Sequence, residues 1–374
     1  MKITEIEPIM LSYLPKRPPR DGLSGIAKRD VFLVKVYTDE GISGIGEGFA
    51  LGSLESTAMI VKEILKPLLI GEDPTHIEGL WQKMYRRSFR VGRRGIVLAA
   101  ISAIDIALWD ILGKKANLPV YQLIGAARSQ LQAYASAGYY LEGKGIEELA
   151  SEMEGYKQQG FQAVKMKVGG ESLDTDIERV RTAREALGPG IKLAVDANNA
   201  WDYPTALKFA RAIEPYDIFF FEEPLSSDDL YGSVKLARDT DIPIAGYETE
   251  YTRYGLREFI VKDAVDIVQT DAIWTGGISE ARKIGILAST FGKACIPHFS
   301  ASAVSLAANL HFGASLANVH WFELTMDDNP LRTDLAKTVI EVENGCLHLS
   351  DRPGLGIELN EELIAEYRVD RAFD

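Results

Sequence analysis

Cysteine is almost missing from this chain, with only Cys295 and Cys346 among 374 residues. Two thiols so far apart exclude a disulfide framework and a cysteine-rich zinc site, and a reducing compartment is the simplest home. An excess of cations is also missing. The formal charge of −13 would repel a nucleic-acid backbone or an anionic membrane, so neither is expected as a partner. The start MKITEIEPIML has no apolar core behind a basic end, and no unbroken apolar run reaches the roughly 18 residues of a membrane span. The expected location is therefore the cytoplasm. What is present is ordinary for a globular protein, 46% hydrophobic and 25% charged residues. The length exceeds what one hydrophobic core usually serves, which predicts a large domain beside a smaller one.

Residues 2–11, residues 31–37 and the stretch from Ile42 read as short strands. Thr38, Asp39, Glu40 and Gly41 form a turn between the last two, so the chain is expected to open with an antiparallel meander. Between the first two strands lies SYLPKRPPRDGLSGIAKRD. Its prolines, glycines and cations exclude a strand interior and leave two readings, a solvated surface loop or a lid over a substrate. Helical patterns follow over 54–69 and 75–88, and then RGIVLAAISAIDIALWDILGKK, apolar almost all round. That describes a helix buried on most sides, a packing hub between two domains. The arginines before it, Arg86, Arg87, Arg90, Arg93 and Arg94, read as a solvated or ion-paired face.

From about residue 130 short β-rich runs alternate with amphipathic segments: 131–136, 163–168, 192–197, 218–223, 242–247, 265–270, 294–297 and 319–322. Eight runs at a period near 25 to 30 residues describe repeated βα units, hence a barrel of parallel strands with right-handed crossovers. After Glu323 no further good helix of the repeat follows. The chain there reads as a hairpin, a Pro and Gly turn and a short helix that returns to the N-terminal region.

In such barrels the chemistry sits at the C-terminal ends of the strands. Those ends carry Lys165 and Lys167, Asp196 with Asn198, Glu222 with Glu223, Glu248, Asp271, His298 and Glu323. Lys165 and Lys167 share one face of their strand, because residues two apart point the same way. Two ammonium groups so close are expected to lower one another's pKa, leaving Lys167, nearer the strand end, as a base near neutral pH. Asp196, Glu222 and Glu248 stand at equal intervals of 26 residues. Converging without a cation they would repel, so a hard divalent ion is expected, and all-oxygen ligation suits Mg²⁺. Ion pairing with the two lysines is the rival account of the same acids. Asp271 and His298 end adjacent predicted strands, and an aspartate beside an imidazole fixes its tautomer and raises its basicity. His76, His311, His320 and His348 have no comparable partner and read as structural.

A base facing a metal-held oxyanion suits removal of the proton next to a carboxylate. General base catalysis supplies about 10² to 10⁴, whereas enzymes reach roughly 10⁶ or more. The remainder must come from stabilising the enediolate, a task for the metal.

At this point the chain resembles the enolase superfamily, in its mandelate racemase-like branch. The resemblance rests on GIGEG, AISAIDIALWDI with the following GK and LIG, KMK, VDAN, EEP, TGGI and PGLGIE, a specific set that covers nearly the whole length. It implies an α/β fold, a modified TIM barrel of (β/α)7β type with an α+β capping domain formed by the N-terminal region and the C-terminal segment. The cap with its lid loop would be residues 1–125, the barrel 126–350 and the returning segment 351–374. It implies Mg²⁺ ligands at Asp196, Glu222 and Glu248, and a base at Lys167 with Lys165 lowering its pKa and contacting the substrate carboxylate. His298 with Asp271 would work on the opposite face and Glu323 would bond the enediolate oxygen. Where the muconate-cycloisomerase-like branch would have a lysine, Asp271 stands here. Tyr247 replaces the glycine that family members often carry before the third ligand.

The expected activity is dehydration of an acid sugar, a lyase of carbohydrate acid catabolism, with a small-molecule carboxylate as substrate. The polar loop with Lys16, Arg17, Arg20, Asp21 and Lys28 suits a polyhydroxylated anion, and Arg20, Tyr139 and Asn198 are its expected contacts. Specificity is assigned to residues 14–30, Phe49–Ser53, and Tyr139 with Tyr140. The alternatives are an isomerase, acting as racemase or epimerase on a 2-hydroxy acid with Lys167 and His298 as opposed bases, or a lactone cycloisomerase. A catalytically dead sugar-acid binding barrel would have lost those bases. The family implies a homo-oligomer.

Overall fold

Alternate residues of Ser43–Gly48 are glycine, and that spacing sets the first contact of the fold. The computed structural model describes residues 1–338, 340 and 342–369. Strands β1 (Ile3–Tyr13), β2 (Arg29–Thr38) and β3 (Ser43–Gly48) form the expected antiparallel meander, in that order. One face of β3 carries Gly44, Gly46 and Gly48 and lies against the helix Ile96–Ala116. A Cβ at Gly44, Gly46 or Gly48 would meet the carbonyl oxygen of Ala107, Ala103 or Ala99 at 2.1, 2.0 or 2.2 Å. No side chain fits between strand and helix. Gly46→Ala is therefore expected to cost about 1–3 kcal/mol, the range for an overpacked core, because the obstructing atoms are main chain. Urea midpoints would show it, and stability within about 0.5 kcal/mol of the parent would mean that strand and helix part easily.

The helix Ile96–Ala116 is the expected hub. It lies between β3 and the barrel, where Asp105 accepts the main-chain N–H and hydroxyl of Ser279 at 3.0 and 2.6 Å. Ser102 Oγ accepts the N–H of Gly276 at 2.9 Å. By length and composition this helix could cross a bilayer, but most of it is buried inside the fold. Ahead of it the consecutive helical segments Leu54–Met59, Ile60–Leu65 and Lys66–Leu69, then Ile77–Ser88, complete the cap. Among the preceding arginines, Arg94 is paired across to Glu250 of the barrel at 2.9 Å.

The barrel strands are β4 (Gln130–Ala137), β5 (Ala163–Lys167), β6 (Lys192–Asp196), β7 (Ile218–Glu222), β8 (Ile244–Gly246), β9 (Ile267–Thr270), β10 (Ala294–Pro297) and β11 (Trp321–Thr325). They run parallel in the order β11, β4, β5, β6, β7, β8, β9, β10. β10 returns beside β11, where Cys295 N–H donates to the Asn318 carbonyl at 3.0 Å. A helix of ten or more residues follows each strand from β4 to β10, and none follows β11. This is the (β/α)7β modification of the TIM barrel. The last strand starts two residues later than the expected run, which places Glu323 at its centre.

After β11 the hairpin β12 (Val342–Glu343) and β13 (Cys346–His348) turns back, and β13 pairs antiparallel with the start of β4. The chain then crosses Gly113 at Gly354 and ends in the helix Glu361–Tyr367, beyond which Val369 N–H donates to Met10 on β1 at 2.9 Å. Residues 370–374 of the expected returning segment lie outside the described residues. The loop between β1 and β2 lies over the barrel mouth. Arg20 and Tyr140 exchange main-chain hydrogen bonds of 2.9 and 3.0 Å there. A Cβ at Gly22 would stand 2.4 Å from the Ala197 oxygen and 2.6 Å from that of Val168. Only glycine lets the loop descend so far onto the ends of β5 and β6.

Candidate active site

Parallel register brings the acid ladder together. Lys167 is paired in register with Asp196 and Asp196 with Glu222, while Glu248 follows two residues beyond β8. All of these side chains are buried, with Lys165, Asp271, His298 and Glu323. Lys167 Nζ donates to Asp196 Oδ2 at 2.5 Å. Lys165 Nζ lies 2.6 Å from Glu222 Oε1, 2.7 Å from Glu323 Oε1 and 3.3 Å from Asp196 Oδ2. His298 Nδ1 donates to Asp271 Oδ2 at 2.9 Å, and its Nε2 lies 3.2 Å from Glu248 Oε1. Lys167 on β5 and His298 just after β10 therefore flank the three acids of β6, β7 and β8 from either side.

Mutual depression of the two lysines is not what this arrangement produces. Burial does oppose their charge, but Glu222 and Glu323 outweigh it at Lys165 and Asp196 outweighs it at Lys167, so both pKa values stand above the ordinary lysine value. In the ion-free chain each ammonium faces carboxylates more closely than it faces its twin. Burial also opposes the charge of His298, yet Glu248, Glu323 and the hydrogen bond it donates to Asp271 carry it up to about 10. Glu248 is pushed up to about 8 by burial, against the attraction of His298. Burial and then the neighbouring Asp196 raise Glu222 well above the usual carboxylate range.

The donor set fits a hard divalent cation. Were all of them ionised, Asp196, Glu222, Glu248, Asp271 and Glu323 would carry two more charges than Lys165, Lys167 and His298 answer, and the ion-free chain meets that excess by the raised proton affinity of Glu222 and Glu248. Glu248 Oε2 and Glu323 Oε2 are buried without a hydrogen-bond partner, a costly state for an ionised oxygen. Among the described residues no three such side chains are already gathered as ligands. Their oxygens are turned instead to the lysines, to His298 and to Gln269, which donates to Glu222 Oε2 at 2.6 Å. The rival account by ion pairing thus describes the ion-free arrangement, in which Glu222 and Glu248 hold their protons more tightly than ordinary carboxylates.

Tyr247 does not disturb the ladder. Its ring is buried on the outer side of the barrel, 4.5 Å from that of Phe259, and its hydroxyl lies 2.7 Å from Ser233 Oγ. Glu248 is then free to enter the mouth. Over the ladder lies a cleft of about 150 Å³, partly open to solvent, and Lys167, Glu248, His298, Glu323, Asn198 and Tyr139 line it. Asn198 donates its main-chain N–H to Asp196 at 2.9 Å, and its Oδ1 is buried without a partner. Tyr139 has Lys167 Nζ 5.3 Å from its ring centroid.

Arg20 is not brought to the cleft. Its guanidinium donates to Gly170 O and Glu171 at 2.6 Å each and sits over the Tyr140 ring, so it fastens the loop to the barrel rim. Tyr140 turns away as well, donating to Asp176 at 2.5 Å. Lys16 and Arg17 line a separate hollow beside Asp327. Phe49, Ala50 and Leu51 do line the cleft.

Three buried polar groups escaped the sequence reading. Asn309 Nδ2 donates to Asp271 Oδ1 at 2.7 Å while its own Oδ1 accepts the Ala272 N–H at 2.9 Å, clamping the partner of His298. Glu47 on β3 accepts from Ser302 Oγ at 2.5 Å and Ser305 N–H at 2.8 Å, which caps the helix Ala303–Ala314 and ties the loop after His298 to the cap. Burial pushes its carboxyl up to about 7, against those bonds. Arg29 pairs with Asp327 at 2.5 Å on the outer side of the cleft. Asn309 had a legible signal, an amide within the otherwise apolar AVSLAANLHFGA.

Known proteins share this fold over nearly the whole length of the chain. Residues 6–125 match the mandelate racemase / muconate lactonizing enzyme N-terminal domain, and residues 148–363 match the enolase C-terminal domain-like family. Arabinonate dehydratase of Saccharolobus solfataricus is 45% identical over 370 residues, covering 98% of this chain and 99% of its own. The structure of 3,6-anhydro-D-galactonate cycloisomerase from Zobellia galactanivorans superposes with a TM-score of 0.89 at 37% identity, over 99% of this chain and 100% of that one. A racemase from Streptomyces coelicolor A3(2) with bound magnesium superposes with a TM-score of 0.92 at 29% identity, over 98% and 100%. Matched along both halves and by a relative end to end, this chain belongs to the mandelate racemase / muconate lactonizing enzyme family of the enolase superfamily, in the mandelate racemase-like branch.

Proposed function

We propose that this protein is a Mg²⁺-dependent acid sugar dehydratase, with Lys167 and His298 as the two proton-handling groups. The observation that carries the reading is their placement on either side of the acid ladder, His298 with Asp271 bonded to its far nitrogen. Asp196, Glu222 and Glu248 would hold the ion, which when bound supplies positive charge to the substrate carboxylate and lowers the cost of removing the neighbouring proton. Asp196 is what holds the proton on Lys167 in the ion-free chain; with that carboxylate engaged by the ion Lys167 would be neutral and would take the substrate proton at Nζ, and the electron pair left on carbon expels the β-hydroxyl. His298 Nε2 gives its proton to the departing oxygen, so water leaves and an enol remains that becomes a 2-keto acid. Asp271 holds the ring with Nδ1–H toward itself and stabilises the imidazolium before that transfer. Lys165, 2.7 Å from Glu323, stands where it can donate to the carboxylate end of the substrate, and Glu323 would accept from an enediolate oxygen that carries a proton. The buried setting excludes competing water and strengthens each of these contacts.

The 45% identical arabinonate dehydratase supports dehydration over the alternatives, although a racemase and a cycloisomerase share the fold. The test is a panel of acid sugars with Mg²⁺ in deuterated buffer, followed for 2-keto acid and for exchange of the proton next to the carboxylate. Formation of the keto acid from at least one member is expected. Exchange with inversion and no loss of water would replace the dehydratase reading by the racemase or epimerase one.

A further inference from the structure

We propose that Asp327 and Asp30 select the substrate by charge, so that the cleft takes acid sugars with a single carboxylate and rejects those with a carboxylate at each end. The inference rests on the acid-sugar reading above and adds to it the substrate's net charge. The cleft has two poles. The deep pole holds the lysines and the acid ladder, where the first carboxylate belongs. Tyr139 stands between the poles, within reach of Lys167 on one side and beside Arg29 on the other.

The outer pole, between the β1–β2 loop and residues 49–51, has Arg29 and Lys28 as its cations. Both are already answered. Arg29 Nη2 lies 2.5 Å from Asp327 Oδ2, and both side chains are buried. Lys28 Nζ lies 3.0 Å from Asp30 Oδ2, whose carboxylate is fully covered and also accepts from Ser12 Oγ at 2.7 Å and Gly52 N–H at 3.0 Å. Asp21 adds another carboxylate on the cleft wall, held by the N–H groups of Leu23 and Ser24. Arg332 donates to the Asp327 carbonyl at 2.8 Å and does not line the cleft. The remaining polar groups here, Ser24, Asn199, Ser300 and Asn329, are neutral. They can donate to and accept from sugar hydroxyls.

A hydroxyl-bearing tail is therefore matched at this pole. A second carboxylate would meet two cations that are already ion-paired, the carboxylates of Asp21 and Asp30 on the cleft wall, and the charge of Asp327, which pairs with Arg29 without itself lining the cleft. Rejection by a built-in repulsive element is a common source of specificity.

The test is calorimetric binding to the Mg²⁺-loaded protein of aldonates and the aldarates of the same configuration, such as D-galactonate against galactarate and D-gluconate against D-glucarate. In the pair that binds best the aldonate is expected to bind at least about tenfold tighter, a difference of roughly 1.4 kcal/mol. Equal or tighter binding of the aldarate overturns the inference. Failure of every acid sugar to bind overturns the acid-sugar reading together with it. Asp327→Asn, which frees Arg29, is expected to shrink the ratio about tenfold. Asp30→Asn, which frees Lys28, is expected to act in the same direction and serves if the first variant does not fold. A folded variant with an unchanged ratio removes that aspartate from the scheme.

Discussion

Lys167→Ala and His298→Asn are each expected to lower kcat by about 10² to 10⁴-fold, the usual worth of a positioned acid or base, with little change in the fold of the Mg²⁺-loaded protein. The two losses should differ in kind. With His298 replaced, Lys167 remains to exchange the proton next to the carboxylate, so exchange in deuterated solvent continues while water loss stops. With Lys167 replaced, both should fall in a dehydratase that uses it as the base. In the ion-free chain Lys167→Ala also leaves Asp196 without its 2.5 Å partner. Breaking a buried pair costs about 3–5 kcal/mol, so a stability loss that Mg²⁺ repairs is expected there. Full turnover in either variant would end the two-base scheme.

Chelation should abolish activity and Mg²⁺ should restore it. The reason lies in the acids of the site, five buried carboxylates against three cations, which can all be ionised together only when a divalent ion offsets the excess. A second readout does not depend on turnover. An ion that binds the folded chain and not the unfolded one stabilises it by about 2.7 kcal/mol at a hundredfold excess over its Kd. Differential scanning calorimetry with and without Mg²⁺ measures that shift. Activity indifferent to EDTA, with an unmoved Tm, would leave the acid ladder to ion pairing alone.

The ladder was legible because a βα repeat keeps nearly constant length, so residues at matched strand ends recur at matched intervals. Asp196, Glu222 and Glu248 needed only counting. Lys165 and Lys167 were legible from the two-residue period of a strand. Their protonation was not, because it depends on which carboxylates the neighbouring strands place beside them, and sequence spacing gives no distances. Arg20 was misplaced for a related reason: a cation in a Pro and Gly loop has no periodicity to aim it, and the rim residues Gly170 and Glu171 claimed it. Glu47 and Ser302, or Arg29 and Asp327, lie more than 250 residues apart and meet only because the cap folds back over the barrel. No local pattern announces such pairs.

The glycine track of β3 also bears on how a substrate enters. Two strand residues advance about 6.8 Å, and four helix residues about 6 Å, so Gly44, Gly46 and Gly48 fall in step with Ala107, Ala103 and Ala99. A slip by one strand residue would drive Ile45 or Glu47 into the helix main chain; a slip by two would be a whole ratchet tooth. The cap is thus geared to its helix and cannot creep, and Glu47, on the opposite face, stays at a fixed height above Ser302 and Ser305. The segment that could move over the cleft without breaking this register is the loop between β1 and β2, which Arg20 ties to the rim at Gly170 and Glu171.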